Sequence, residues 1–235
     1  MPAVSTSLRV LTGAIIAVLT VTGCQTLDDA GRVIGRADLV NDLAARLDRA
    51  NDLTYTADYQ LPGGRTASIA QSQNPVRTAY VYPGGKLTVT AEAITECDTS
   101  RKKPTCTLTA PPAPSTKPAT TVFTQMNKHG LVTPPVVVGL LTAAALDPAA
   151  VIEQNDTTIA GRHATCVQVR ELSNAAASSF DACITGEGVL GSFTGTVDGT
   201  ELRVTMSRYR DAVENSVFEL PPGAGVVDRR PAAPR

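Results

Sequence analysis

The apolar positions change period along the chain, and each change predicts a different element. Arg9 leads into an apolar run, Val10 to Val21, which ends in Thr22, Gly23 and Cys24. A transmembrane helix needs roughly 20 such residues, so the run fits the middle of a secretory leader cut at small residues. From Gln25 to Gly35 the sequence is mixed and reads as a flexible tether. Leu39, Val40, Leu43, Leu47 and Ala50 then recur at helical spacing, with Asp42, Arg46, Asp48 and Arg49 between them. This predicts one amphipathic helix, capped by Asp38, whose apolar stripe packs on its own domain.

After Asn51 the period falls to two. Tyr55, Ala57, Tyr59 and Leu61 alternate with Thr54, Thr56, Asp58 and Gln60, and further strands are expected over Arg65 to Gln71, Val76 to Tyr82, Leu87 to Thr95 and Thr105 to Ala110. The turn residues at Pro62-Gly63-Gly64, Asn74-Pro75 and Pro83-Gly84-Gly85 make the early strands successive antiparallel hairpins. Pro111 to Pro118 cannot be a central strand and reads as a loop, followed by a short helix over Thr121 to His129. Pro134-Pro135 start an almost wholly apolar helix, Val136 to Leu146, and a helical piece is expected from Ala149 to Gln154. Strands resume at Thr157 to Ala160, His163 to Arg170, Phe180 to Thr185, Val189 to Val197 and Glu201 to Arg210. Asp198-Gly199 between the last two is a strong hairpin signal. The stretch Phe218-Glu219-Leu220-Pro221-Pro222 closes the ordered part, and residues 228–235 read as a disordered tail.

The resulting order is helix, strand meander, helical insertion, strand meander. It predicts an α+β domain over residues 36–227, in which about ten strands form one antiparallel sheet that twist forces to curl. The inserted apolar helix is the natural filling of its concave face. Composition agrees, because Trp is absent and aromatics are only 4%, leaving a core of small and β-branched side chains that suits strands. The net charge of −1 gives no field that would recruit nucleic acid.

Apart from Cys24, the cysteines are Cys97, Cys106, Cys166 and Cys183, an even number that fits a disulfide framework. Pairing Cys166 with Cys183 sets Val167 opposite Ala182 and Val169 opposite Phe180, apolar against apolar on one face with both sulfurs on the other. Asn174 between the two strands is a turn residue that tolerates positive φ. Cys97 and Cys106 flank a polar turn and would staple a second hairpin. The alternative, a metal site using these thiols with His163, lacks the close-set pairs of zinc sites, and exported thiols oxidise.

Val21-Thr22-Gly23-Cys24 resembles the bacterial lipobox, with Val where the pattern prefers Leu. The resemblance implies a signal peptide over residues 1–23, cleavage before Cys24, acylation of its thiol, and a lipidated N-terminus and tether over residues 24–35. Two acyl chains anchor stably, at about 0.8 kcal/mol per buried methylene, so the expected location is the extracytoplasmic face of the cell membrane. With the N-terminal helix, the sheet interrupted by helices and the closing Phe218 to Pro222 stretch, the layout resembles the LolA-like lipoproteins, including the mycobacterial LprG and LppX group. That resemblance implies a half-barrel lidded by helices over an apolar cavity for acyl chains.

On that reading Val137, Leu140, Leu141 and Ala144, at helical spacing, face a cavity lined by Tyr55, Tyr59, Tyr80, Leu202 and Val204. The partner would be a lipid or glycolipid. The alternative is a surface or accessory lipoprotein with a closed core that binds a protein partner. No enzyme is expected: the sequence has no Gly-x-Ser-x-Gly elbow, no Gly-rich phosphate loop and no HExxH helix. His129 reads as an exposed helix end and His163 as a surface residue, so neither a metal nor a cofactor is expected.

Overall fold

The computed structural model describes residues 24–111 and 126–231. The expected leader, nearly all of the Pro111 to Pro118 loop and most of the Thr121 to His129 helix lie outside the described residues. Helix α1 spans Cys24–Arg49, longer than its periodicity predicts. No proline interrupts residues 24–49, and once a helix is nucleated each added residue gains a hydrogen bond. The segment read as a flexible tether therefore continues the helix, and Asp38 lies inside it instead of capping it.

Six strands follow: β1 (Tyr55–Gln60), β2 (Thr66–Gln73), β3 (Val76–Tyr82), β4 (Gly85–Thr90), β5 (Ile94–Asp98) and β6 (Thr105–Thr109). Helix α2 is Pro134–Leu146. The second meander is β7 (Val151–Ile159), β8 (Arg162–Arg170), β9 (Phe180–Thr185), β10 (Leu190–Val197) and β11 (Thr200–Arg210), and a short β12 (Gly225–Asp228) comes last. Two boundaries differ from the sequence reading. Leu87 to Thr95 divides into β4 and β5 because the Thr90 hydroxyl accepts the N–H groups of Glu92 (3.2 Å) and Ala93 (3.1 Å), which turns the chain. Ala149 to Gln154 is not helical. Asp147 closes a single turn by accepting the Ala149 N–H on its side chain at 2.9 Å, after which the backbone ladder to β8 outweighs local helix propensity and β7 begins at Val151.

All twelve strands form one sheet in the order β12-β6-β5-β4-β3-β2-β1-β11-β10-β9-β8-β7, two more strands than expected. Neighbours are antiparallel except β12, which runs parallel to β6. The sheet is curved and unclosed: the start of β8 bends back until the Arg162 guanidinium lies 4.6 Å over the Tyr209 ring of β11. Tyr55, Ala57 and Tyr59 of β1, Ile69 of β2, Tyr80 of β3, Leu87 of β4 and Leu202, Val204 and Met206 of β11 point inward, where they pack with α1 and α2 in one core. The Gly186-Glu187-Gly188 turn between β9 and β10 backs onto α1. A Cβ at Gly188, whose φ is +94°, would stand 2.4 Å from the Arg46 carbonyl oxygen, so only glycine permits this approach.

The chain after β11 is ordered well past Phe218 to Pro222. It crosses the convex face as a strap: Thr56 donates to the Ala212 carbonyl at 2.8 Å, Arg77 covers the Phe218 ring at 4.2 Å, and Lys86 donates to the carbonyls of Val217 and Glu219. The strap ends in β12, held to β6 by Gly225 N–H to Pro104 O (2.9 Å) and, just beyond, Arg229 N–H to Leu108 O (2.8 Å). Asp228 to Arg230, read as part of a loose tail, is thus tied to the sheet.

Candidate functional site

The residues expected to line a cavity come together. Val137, Leu141, Tyr59, Leu202 and Val204 have no surface that water can reach, and Tyr55, Tyr80, Leu140 and Ala144 are at most 5% exposed. A side chain bordering a void wide enough for water would retain accessible surface, so these residues fill the concave face with packed side chains. Within this core Tyr59 donates its hydroxyl to the Leu190 carbonyl at 2.8 Å, and Tyr55 stacks on Tyr209 with ring centroids 6.0 Å apart. Burial raises the phenol pKa of Tyr55, Tyr59 and Tyr80 above the ordinary value, with neighbouring tyrosines adding to the shift. Helix α2 lies on α1, and its C-terminal end sits beside Arg36 and Ala37.

The structure joins Cys97 to Cys106 and Cys166 to Cys183. The second pair lies in the register derived from the sequence, with Val167 opposite Ala182 and Val169 opposite Phe180. Asn174 takes positive φ, 55°. Both disulfides lie on the convex face, one near each end of the sheet. Cys24 is helical, at the limit of the described residues. His163 is exposed. Among the described residues no group of three His, Cys, Asp or Glu side chains could hold a metal, and no helix is long and apolar enough to cross a membrane.

Two open features escaped the sequence reading. The first is a cleft of about 730 Å³ on the inner face of β3, β5 and β6, bordered by Tyr82, Glu96, Asp98, Thr107 and His129. His129 is no exposed helix end; its ring stacks on Tyr82 at 4.4 Å. Burial, then Glu96 and Asp98, push the Tyr82 phenol up to about 12. The Ser100 hydroxyl and N–H hold the Asp98 carboxyl below its usual range. The signal was present in β5, where the inward positions run Ile94, Glu96, Asp98 and change from apolar to acidic.

The second feature is the sheet edge at β7, where seven of nine residues are exposed. Its outer backbone can be assigned. Ala160 and Gly161 both take positive φ, which makes a two-residue turn of the mirror-image type, and the pair that closes such a hairpin, Ile159 with Arg162, is hydrogen-bonded. Alternation then turns the N–H and C=O groups of Ile152, Gln154, Asp156 and Thr158 away from β8. The bond from Gly186 N–H to the His163 carbonyl (2.9 Å) agrees, since it directs His163 toward β9 and leaves Arg162 to β7.

Compared by sequence, the chain matches no protein family and no curated protein. Compared by structure, it is similar to a chain of the Pseudomonas aeruginosa MucA/MucB complex, at 14% identity and a TM-score of 0.48 over 80% of this chain and 63% of that one. It is also similar to MucB alone (12%, TM-score 0.44, 79% and 64%). A conserved protein of Thermus thermophilus shows a comparable likeness (11%, TM-score 0.44, 80% and 98%). The chain spans less than two thirds of the length of the MucB chains.

Proposed function

We propose that this is an exported lipoprotein, anchored through Cys24 on the outer face of a membrane, that serves as a non-enzymatic binding module for a protein partner. The observation that supports a protein partner over an enclosed lipid is the filled interior: Val137, Leu141, Tyr59, Leu202 and Val204 expose nothing to water, whereas a small-ligand cavity has roughly 300–1,000 Å³ of free space. Recognition then falls to surfaces outside the core. The anchor reading draws on the lipobox at Val21-Thr22-Gly23-Cys24.

A second reading, a carrier of lipid or glycolipid, draws on one observation. Helix α2 contains no charged residue in its 13 positions, so displacing it would open an apolar concave face. Mass spectrometry of organic extracts from the full chain, purified from membranes, separates the two. A partner-binding module yields only its own acyl anchor, and a stoichiometric second lipid overturns that reading in favour of a carrier. Detergent-phase partitioning of Cys24→Ser tests the anchor: the variant is expected in the aqueous phase, and continued full partitioning into detergent removes the lipobox assignment.

A further inference from the structure

Sheet edges attract extended chains, and proteins blunt them with short strands, prolines, bulges or charged side chains, lysine above all. The β12 edge is blunted, being only four residues long and followed by Pro231. The β7 edge is nine residues long, pairs with β8 at every position without a bulge, and contains no Pro, Lys or Arg. Among the described residues no further backbone bond reaches it.

Its charge is also uncompensated. Glu153 and Asp156 are exposed, and the nearest basic side chains of β8 are engaged elsewhere, Arg162 with Glu187 at 2.7 Å and Arg170 with Asp181 at 2.8 Å. We infer that β7 is a strand-addition site for an extended, basic segment of a partner protein, which the unpaired backbone groups of Ile152, Gln154, Asp156 and Thr158 hold by a ladder. The register fixes the partner's pattern. In an antiparallel addition the residues opposite Asp156 and Glu153 are three apart and basic, and the next two, opposite the apolar Ile152 and Val151, are apolar. A second copy of this chain fits poorly, because pairing β7 with itself would bring four carboxylates and no base to one ladder. The inference rests on the partner-binding reading, which the lipid extraction tests without reference to β7.

The test uses the full chain in detergent and a synthetic peptide, Thr-Thr-Lys-Thr-Thr-Lys-Val-Val, with Glu in place of both Lys as control. The Lys peptide is expected to slow amide exchange at Ile152, Gln154, Asp156 and Thr158, to weaken with added salt, and to bind at least roughly tenfold more tightly than the Glu peptide. Gln154→Pro removes one outward N–H while sparing the bonds to β8. It should lose binding at unchanged melting temperature. Should that variant fail to fold, Glu153→Lys with Asp156→Lys must instead reverse the preference between the two peptides. No binding at millimolar peptide, protection at other amides, an unreversed preference, or protection of β7 by self-association without peptide each overturns the assignment.

Discussion

Leu141→Ala probes whether the concave face is filled. Leu141 lies in the middle of α2 with no accessible surface, so the change removes three buried carbon atoms from contact with the sheet. At about 0.8 kcal/mol per carbon the lost transfer energy is about 2.4 kcal/mol. If the vacated space, on the order of 80 Å³, does not collapse, about 24 cal/mol per Å³ adds roughly 2 kcal/mol. The total, about 4 kcal/mol, lies within the usual range for buried leucines, about 2.7–5.0 kcal/mol. For a domain of this size each kcal/mol lowers the melting temperature by about 2–4 °C, so calorimetry should register a drop of roughly 8–16 °C. A leucine that merely roofed a ligand cavity would lose less, since no new void forms among packed atoms. A drop below about 4 °C, or a folded Leu140→Arg protein of near-native melting temperature, would refute the packed interior, because a charge buried there costs several kcal/mol.

Gly188→Ala should destabilise by at least roughly 2 kcal/mol, since φ of +94° and the Arg46 carbonyl both exclude a Cβ; a lower denaturant midpoint with unchanged slope checks it, and a neutral result would mean that α1 does not rest on this turn. Replacing Cys166 and Cys183 together with alanine lengthens the unfolded chain's freedom over a separation of 17 residues, for a loss of about 3 kcal/mol in chemical denaturation; a loss under about 1 kcal/mol would contradict it. All five tyrosines have raised phenol pKa values, Tyr82 to about 12. A raised folded value means that their contribution is complete below the unfolded value near 10 and is lost as pH climbs through the folded values. Stability should therefore decline above pH 10 while phenolate absorbance stays low in the folded protein, and several phenols ionising at pH 10 without unfolding would disprove the buried placement.

Parity along single strands and hairpins was legible in the sequence. The register of Cys166 with Cys183, the Asp198-Gly199 turn and the inward stripe Val137, Leu140, Leu141 and Ala144 all depend on neighbours within one or two elements, which periodicity records. The strap and β12 depend on partners far along the chain. Gly225 pairs with Thr105, and the strap is held by Thr56, Arg77 and Lys86 through backbone carbonyls, the Asn215 side chain and one ring, contacts that leave no period behind. At β7, Ala149 and Ala150 favour a helix locally, while nine pairings with β8 decide otherwise.

Whether α2 fills or roofs the concave face was beyond the same reasoning. An apolar helical stripe looks alike over packed side chains and over a void, and the difference lies in the summed volume of what rises from the sheet. Here Tyr55, Tyr59, Tyr80 and Leu87 rise from β1, β3 and β4 on one side, and Phe180 and Phe193, 5.8 Å apart, on the other. These large side chains compensate for the alanines at positions 57, 67 and 182. With the centre so occupied, the positions that break the inward apolar pattern gain meaning. Glu96 and Asp98 are acidic because the inner face is open to water there, and Asp156, with Glu153 on the opposite face, marks the long edge that no further backbone bond reaches among the described residues. Substitutions at Glu153 and Asp156 should therefore alter peptide binding while leaving the melting temperature nearly unchanged, the reverse of what Leu141→Ala does.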